Sequence, residues 1–223
     1  MKTIKFNSLI FTAFVVLFTL FTGCKKDYEA SKPTYLPDIN IKGDAVVVIV
    51  KDSPYSELGA VATENGAAID YVISGTVDVS TPGIYVLEYL ATNVDGFNAT
   101  DIRTVVVIPG PVTNDVSYIE GKYVTSPNGG TPATTFSNIT KIKPGVYYTE
   151  NCWGNGSLAV LPAYFFCLDG VTLEIPTQGE GAGQVQTGAP GVYDTGLSKI
   201  IWTVTRPLFP GGPLTRNKSW TKV

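Results

Sequence analysis

Asn151, Trp153 and Asn155 fall in one short, glycine-containing loop after a strand-like run. A flat indole stacks on the apolar face of a sugar ring, and neighbouring amides orient its hydroxyls. Binding groups concentrate on loops, so these three residues are the first candidates for a polysaccharide or oligosaccharide site. Tyr147 and Tyr148 point to opposite faces of the preceding strand, which lets one of them, taken here as Tyr148, reach the same surface. Trp220, close to the C-terminal residue, is the fifth candidate. The competing assignment for each ring is the hydrophobic core, and Trp202, on an alternating strand, is placed there.

What the chain lacks narrows the remaining chemistry. It has no histidine in 223 residues, which removes Ser-His-Asp and Cys-His nucleophiles and His-ligated zinc. Carboxylate-based glycoside hydrolysis survives that exclusion. It needs two facing acids, about 5 Å apart for retention or about 6.5–9.5 Å for inversion. The second half offers Glu120, Glu150, Asp169, Glu174, Glu180 and Asp194, and no two of them stand out as a pair. Asp169 suits a turn and Glu174 an exposed strand position, leaving Glu150, beside Trp153, as the least easily explained. A non-catalytic protein is expected. Asp78, Asn93 and Asp95 have oxygens that calcium could use, but a calcium site gathers about six to eight of them. In turns such residues bond their own backbone, so neither metal nor cofactor is expected. Cys152 and Cys167 form an even pair that could close a disulfide in an oxidising compartment, contributing about 3 kcal/mol. The alternative is two buried thiols acting as small apolar side chains.

The elements that must position these residues begin after an N-terminal address. Lys2 and Lys5 precede an apolar run from Leu9 to Leu20, shorter than the roughly 20 residues that span a bilayer. This is the layout of a signal peptide. Its end, Leu20-Phe21-Thr22-Gly23-Cys24, resembles the lipobox of bacterial lipoproteins, with Phe21 where that family prefers a small or aliphatic residue. The resemblance implies cleavage before Cys24 and its acylation, hence a membrane partner; the alternative is a simple secreted chain. Lys25-Lys26-Asp27-Tyr28-Glu29 is similar to the charged export signal of Bacteroidetes-type surface lipoproteins, or is a solvated tether. Together these imply an outer-membrane, outward-facing location, with the periplasmic face of that membrane as the alternative. Removing residues 1–23 takes the formal net charge from −3 to −5, which argues against a nucleic-acid partner.

The body reads as all-β. Threonine, valine and tyrosine recur, turn residues break the chain often, and no long segment has a 3.6-residue period. Residues 24–36 read as a tether, 37–109 as a β-sandwich, 110–116, with Pro109-Gly110-Pro111 at its start, as a linker, and 117–223 as an antiparallel β-sheet or barrel-like domain. In the sandwich, Tyr85, Leu87, Tyr89 and Ala91 share one strand face, predicted to point inward. In the second domain, residues 176–198 are rich in glycine and read mostly as loop, as do Pro207 to Pro213.

The sandwich carries a specific resemblance. Gly75-Thr76-Val77-Asp78, Thr81-Pro82-Gly83-Ile84-Tyr85, Tyr89-Leu90-Ala91-Thr92-Asn93-Val94-Asp95-Gly96 and Arg103-Thr104-Val105-Val106-Val107 resemble the bacterial surface immunoglobulin-like domain, with departures at Asn93 and Phe97. That implies a spacer or binding module without catalytic residues. The second half, through Ile119-Glu120-Gly121-Lys122-Tyr123, Tyr164-Phe165-Phe166 and Ile201-Trp202-Thr203-Val204, is similar to C-terminal domains of Bacteroidetes surface lipoproteins. Many of those sit beside glycan-uptake systems, which implies an outer-membrane uptake complex as a partner. The second reading of the chain is an adhesion or structural lipoprotein that contacts proteins.

Overall fold

Every regular element among the described residues is a β-strand. The computed structural model describes residues 33–125, 135–154, 160–179, 183–208 and 210–223. Seven strands form the N-terminal sandwich. β1 (Pro37–Ile41), β3 (Ala60–Glu64) and β4 (Ala67–Ala68) make one sheet. β2 (Val46–Val50), β7 (Asn98–Ile108), β6 (Gly83–Thr92) and β5 (Tyr71–Ser74) lie side by side in the other, with β2 parallel to β7. The alternation along β6 does what its pattern predicts: Leu87, Tyr89 and Ala91 are buried with Ile39, Ala62 and Val105 between the sheets. One cation shares that interior. Arg103 is 1% exposed and donates to Glu57 Oε1 at 2.9 Å and to the carbonyls of Lys42 and Asp44.

The C-terminal half is one eight-stranded antiparallel sheet: β8 (Gly121–Thr125), β9 (Thr135–Lys143), β10 (Val146–Thr149), β11 (Ala163–Phe166), β12 (Thr172–Leu173), β13 (Gln186–Asp194), β14 (Lys199–Arg206) and β15 (Leu214–Lys222). Its spatial order, β11-β10-β9-β8-β15-β14-β13-β12, pairs each strand with its neighbours in sequence and sets the last strand beside the first. Phe166 and Glu174 exchange backbone hydrogen bonds of 2.8 and 3.1 Å, which brings β11 back against β12 and nearly closes the sheet into an up-and-down barrel. Closure removes the exposed edges that an open sheet would present. A barrel of eight strands is just wide enough for side chains to fill it or for one small ligand. Tyr123, Tyr147, Phe165, Ile200, Trp202 and Val204 fill most of this one.

Two segments differ from the sequence reading. β13 takes Gln186–Asp194 out of the stretch 176–198, whose glycines pointed to mostly loop. Its register shifts twice against β14, and a Cβ at Gly191 would lie 2.6 Å from Trp202 Cβ and 2.9 Å from the Ile201 carbonyl oxygen. That glycine marks a close backbone approach within a strand. The C-terminal residues form β15, paired with β14 along its length and with β8 at Thr221 and Lys222. Its polar composition conceals it.

Sandwich and barrel share a third apolar cluster. Val106 and Ile108 from β7 bury against Val146 and Phe166 from the barrel wall, with Val46, Val48, Ile84, Val112 and Leu168 around them. The segment between the two bodies lies along the barrel, the amides of Thr113 and Asn114 both bonding the Leu168 carbonyl. Lys143 adds an exposed ion pair with Asp44 at 2.5 Å.

Candidate functional site

An up-and-down barrel sends alternate connections to opposite ends. At the end beside the sandwich the turns are tight: Gly145, with φ 67°, turns β9 into β10, Asp169 caps the turn into β12, and Asp194 caps that into β14. At the far end lie the other strand ends: Thr125 and Thr135, Thr149 and Ala163, Leu173 and Gln186, and Arg206 and Leu214. Together these strand ends form one rim, the mouth of the barrel.

The wall below this mouth is polar. Thr125, Thr135, Ser137, Thr149 and Asn151 are buried there. The Ser137 and Thr149 hydroxyls bond each other at 2.7 Å, and Ser137 Oγ accepts the Asn151 amide at 2.9 Å. Asn151 Oδ1 accepts the backbone amides of Trp153, Gly154 and Leu161 at 3.0, 3.1 and 3.3 Å. It thus folds the start of the 150–162 connection inward. Gly154, with φ 62°, completes the bend; a Cβ there would meet Thr125 Cγ2 at 2.6 Å and Trp220 Cζ2 at 2.8 Å.

That bend carries the Trp153 ring under the mouth, where cations meet it. Lys218 Nζ and Arg206 Cζ each lie 5.4 Å from the Trp153 ring centroid, within cation–π range. Lys218 is 4% exposed and Arg206 9%. The β14–β15 register explains why both point inward: Lys218 stands opposite the buried Trp202, directly opposed residues share a sheet face, and Arg206 continues the buried face of Trp202 and Val204 along β14; Arg216, opposite Val204, lies on the same face. Arg216 is exposed at the rim. Burial, and then the charge of Arg216, holds the Lys218 ammonium below its ordinary pKa. Among the described residues no carboxylate pairs with Lys218. The indole Nε1 groups of Trp153 and Trp220 are buried without an acceptor, as is that of Trp202.

The sequence candidates are thus redistributed. Trp153 and Trp220 are not exposed stacking platforms, each being 1% exposed. Trp153 is drawn in by Asn151 and Gly154. Trp220 lies on a strand paired on both sides, so closeness to the terminus does not expose it. Asn151 shapes the loop and does not present its carbonyl outward. Tyr148 is half-buried on the barrel's outer face, 5.2 Å from Tyr164, away from the mouth, because its neighbour Tyr147 takes the inward position and donates to the Val116 carbonyl. Asn155, Glu180 and Cys24 lie outside the described residues. The disulfide is also corrected: Cys152 and Cys167 are free and buried. The Cys167 amide bonds the Gly145 carbonyl and the Cys152 amide the Leu161 carbonyl, which puts them at opposite ends of the β10–β11 pair. At about 3.3 Å per residue that is roughly 20 Å, against about 7 Å for the widest bridgeable Cα pair. Burial pushes both thiols up to about 12.

Arg206, Arg216 and Lys218 escaped the sequence reading. The available signal was the alternation of Leu214, Arg216, Lys218 and Trp220, a strand period with cations at two of its inward positions. The acids are engaged elsewhere: Glu120 accepts the Lys141 amide, Glu150 binds Asn138 on the exposed wall, and Asp169 and Asp194 cap turns. A second concavity, about 370 Å³, lies at the near end between Tyr118, Tyr193, Ser198 and Lys222. Its tyrosines and lysine are spent on backbone carbonyls: Tyr118 bonds Gly170, and Tyr193 and Lys222 both bond Tyr118.

No curated protein matches the chain. Among solved structures it is similar to the crystal structure of the lipoprotein BT2262 from Bacteroides thetaiotaomicron, at 26% identity and a TM-score of 0.38, over 84% of this chain and 100% of that one. Residues 39–107 match the family model of the bacterial surface protein Ig-like domain, so the sandwich built by β1 to β7 is similar to the immunoglobulin-like domains of bacterial surface proteins.

Proposed function

We propose that this is a cell-surface lipoprotein, anchored through Cys24 in the outer membrane, whose barrel captures a glycan at the mouth far from the sandwich. The immunoglobulin-like sandwich is the spacer that presents the barrel, and the bound glycan is held for, or passed to, an outer-membrane uptake complex. The observation that carries the reading is the asymmetry of the barrel. One end is packed on the sandwich, while the rim at the other stands above a polar wall with buried cations and an aromatic ring. Ligand sites in barrels lie at such mouths, where a few polar groups converge in a mostly apolar frame. A binding role is favoured over a catalytic one because the described acids of the barrel serve turns and the outer wall.

Affinity electrophoresis of residues 25–223, which include every described residue, through gels containing different polysaccharides tests this. All three tryptophans belong to the barrel, so a shift in their emission on titration reports that body alone. Retardation by a glycan together with an emission shift supports the reading, and neither effect across a broad panel refutes it. Incorporation of radiolabelled palmitate, lost in Cys24→Ser, tests the anchor.

An adhesive role is the second reading, favoured by the outer face of the four-stranded sheet. Val72, Val86 and Ile102 are exposed there, beyond the part covered by the barrel. Aspartate at Val72 and Ile102 would abolish cell-surface adhesion on that reading and leave glycan retardation unchanged on the first.

A further inference from the structure

We infer that the end of the sandwich opposite the barrel is seated on the membrane surface through Val94, Phe97, Tyr35 and Leu36. This rests on the reading of Cys24 as a lipid anchor and adds a second, non-covalent contact to it. The β6–β7 turn, residues 93–97, stands at that end. β7 runs from Asn98 at the turn to Ile108 at the shared core, about 33 Å at the rise of a strand. Turn positions usually take glycine or polar residues. Here Val94 is 94% exposed, more than any other large apolar residue described, and Phe97 is exposed three residues on. Tyr35 and Leu36, where the chain enters the sandwich, are exposed as well.

One side chain gathers these residues. Asn93, itself buried, donates from Nδ2 to the Tyr35 carbonyl and to Glu64 Oε1, both at 2.8 Å. Its Oδ1 accepts the amides of Asp95 and Phe97 at 3.1 and 2.8 Å. The incoming chain, the end of β3 and the β6–β7 turn are thus held as one tip. A scattered exposed apolar residue needs no explanation, but several on one bonded tip form a patch of the kind that meets a partner. The chain itself selects the partner. Cys24 lies eleven residues before Tyr35, so the patch lies no more than about 40 Å from an acylated Cys24. Tyrosine suits a bilayer interface, with its ring in the apolar zone and its hydroxyl in water. Interfacial apolar side chains reach about 5–10 Å into the headgroup–acyl boundary. The contact is apolar and not electrostatic, since the charge in the turn is Asp95 and Glu64 is held by Asn93. Seated this way, the sandwich holds the barrel away from the membrane.

The test measures how fast a charged, membrane-impermeant maleimide modifies an engineered thiol. Cys152 and Cys167 are buried, and Cys24 is acylated on this reading, so Val94→Cys supplies the reactive group. Lys51→Cys is the control, at an exposed residue whose amide bonds the Ile108 carbonyl at the barrel end. Each variant is compared as the full lipidated chain on phosphatidylcholine vesicles and as residues 25–223 in solution. The inference expects Val94→Cys to react several-fold more slowly on vesicles and Lys51→Cys to react equally in both. Salt, which screens charges, should leave the slowing unchanged. Adding Phe97→Asp or Leu36→Asp should restore the solution rate at Val94→Cys without lowering the melting temperature, because both side chains are exposed. If the chain floats with the vesicles but Val94→Cys reacts there as fast as in solution, the inference falls and the anchor stands. If the chain does not float, the anchor reading falls and takes the inference with it. If Lys51→Cys slows as much as Val94→Cys, the vesicle shields the whole molecule and the tip contact falls.

Discussion

Phe166→Ala probes how the mouth is held out from its spacer. Phe166 sits on the outer face of β11, yet it is 2% exposed, because the sandwich covers it with Val106 and Ile108, themselves 0% and 3% exposed. Its neighbour Phe165 takes the inward position in the barrel core. Truncation leaves the barrel interior intact and opens a cavity between the two bodies. Large-to-small substitution at such a site costs about 3–5 kcal/mol, combining lost transfer energy with the cavity. Were the bodies joined by a free linker, Phe166 would be a surface residue and its truncation would fall within about 0.5 kcal/mol. Urea unfolding separates the cases when followed both by tryptophan emission, which reports the barrel, and by far-UV circular dichroism, which reports both bodies. The structure predicts coincident curves for the wild type. For Phe166→Ala it predicts a loss of about 3–5 kcal/mol of unfolding free energy, read as a lower midpoint, or a split into two transitions. Non-coincident wild-type curves, with Phe166→Ala unfolding like the parent, would refute the shared core.

Two further outcomes follow from buried chemistry. Glu57 feels burial, which raises its pKa, but hydrogen bonds from Tyr55 and the Gly59 amide and the charge of Arg103 outweigh it and hold the carboxyl low. A depressed carboxylate gives stability that is present above the unfolded pKa of about 4.3 and lost as pH falls through the lower folded value. Wild-type melting temperature should therefore fall more steeply below that pH than that of Glu57→Gln, and parallel profiles would show that Glu57 contributes nothing. Cys152 and Cys167, pushed up to about 12 by burial, should resist a thiol reagent at pH 8 in the folded chain and react in denaturant, with no mass change on reduction. A mass lower by two hydrogens, restored by reductant, would mean that the disulfide forms after all.

Much of the fold was legible where burial follows a simple period. Leu87, Tyr89 and Ala91 alternate against turns rich in proline and glycine, and they are the sandwich core. The barrel's last strand was not legible, for a reason tied to its role. Two of the inward positions of β15 hold Arg216 and Lys218, so the apolar alternation that marks a half-buried strand is broken where the candidate site lies. Trp153 misled in the opposite direction. Its loop position pointed to exposure, but Asn151 and Gly154 fold the ring beneath the mouth, and only the bend made by those two residues shows it. β13 was hidden by glycines such as Gly191, which serve close packing against Trp202 and do not end the strand.

The most direct test of the mouth as the binding site is hydrogen exchange by mass spectrometry on the full chain, with and without a glycan that retards it. The account predicts new protection in peptides covering residues 150–154 and 204–220, with the sandwich strands unchanged. Protection confined to β1–β7, or to the near-end groove at Tyr118 and Tyr193, would contradict it.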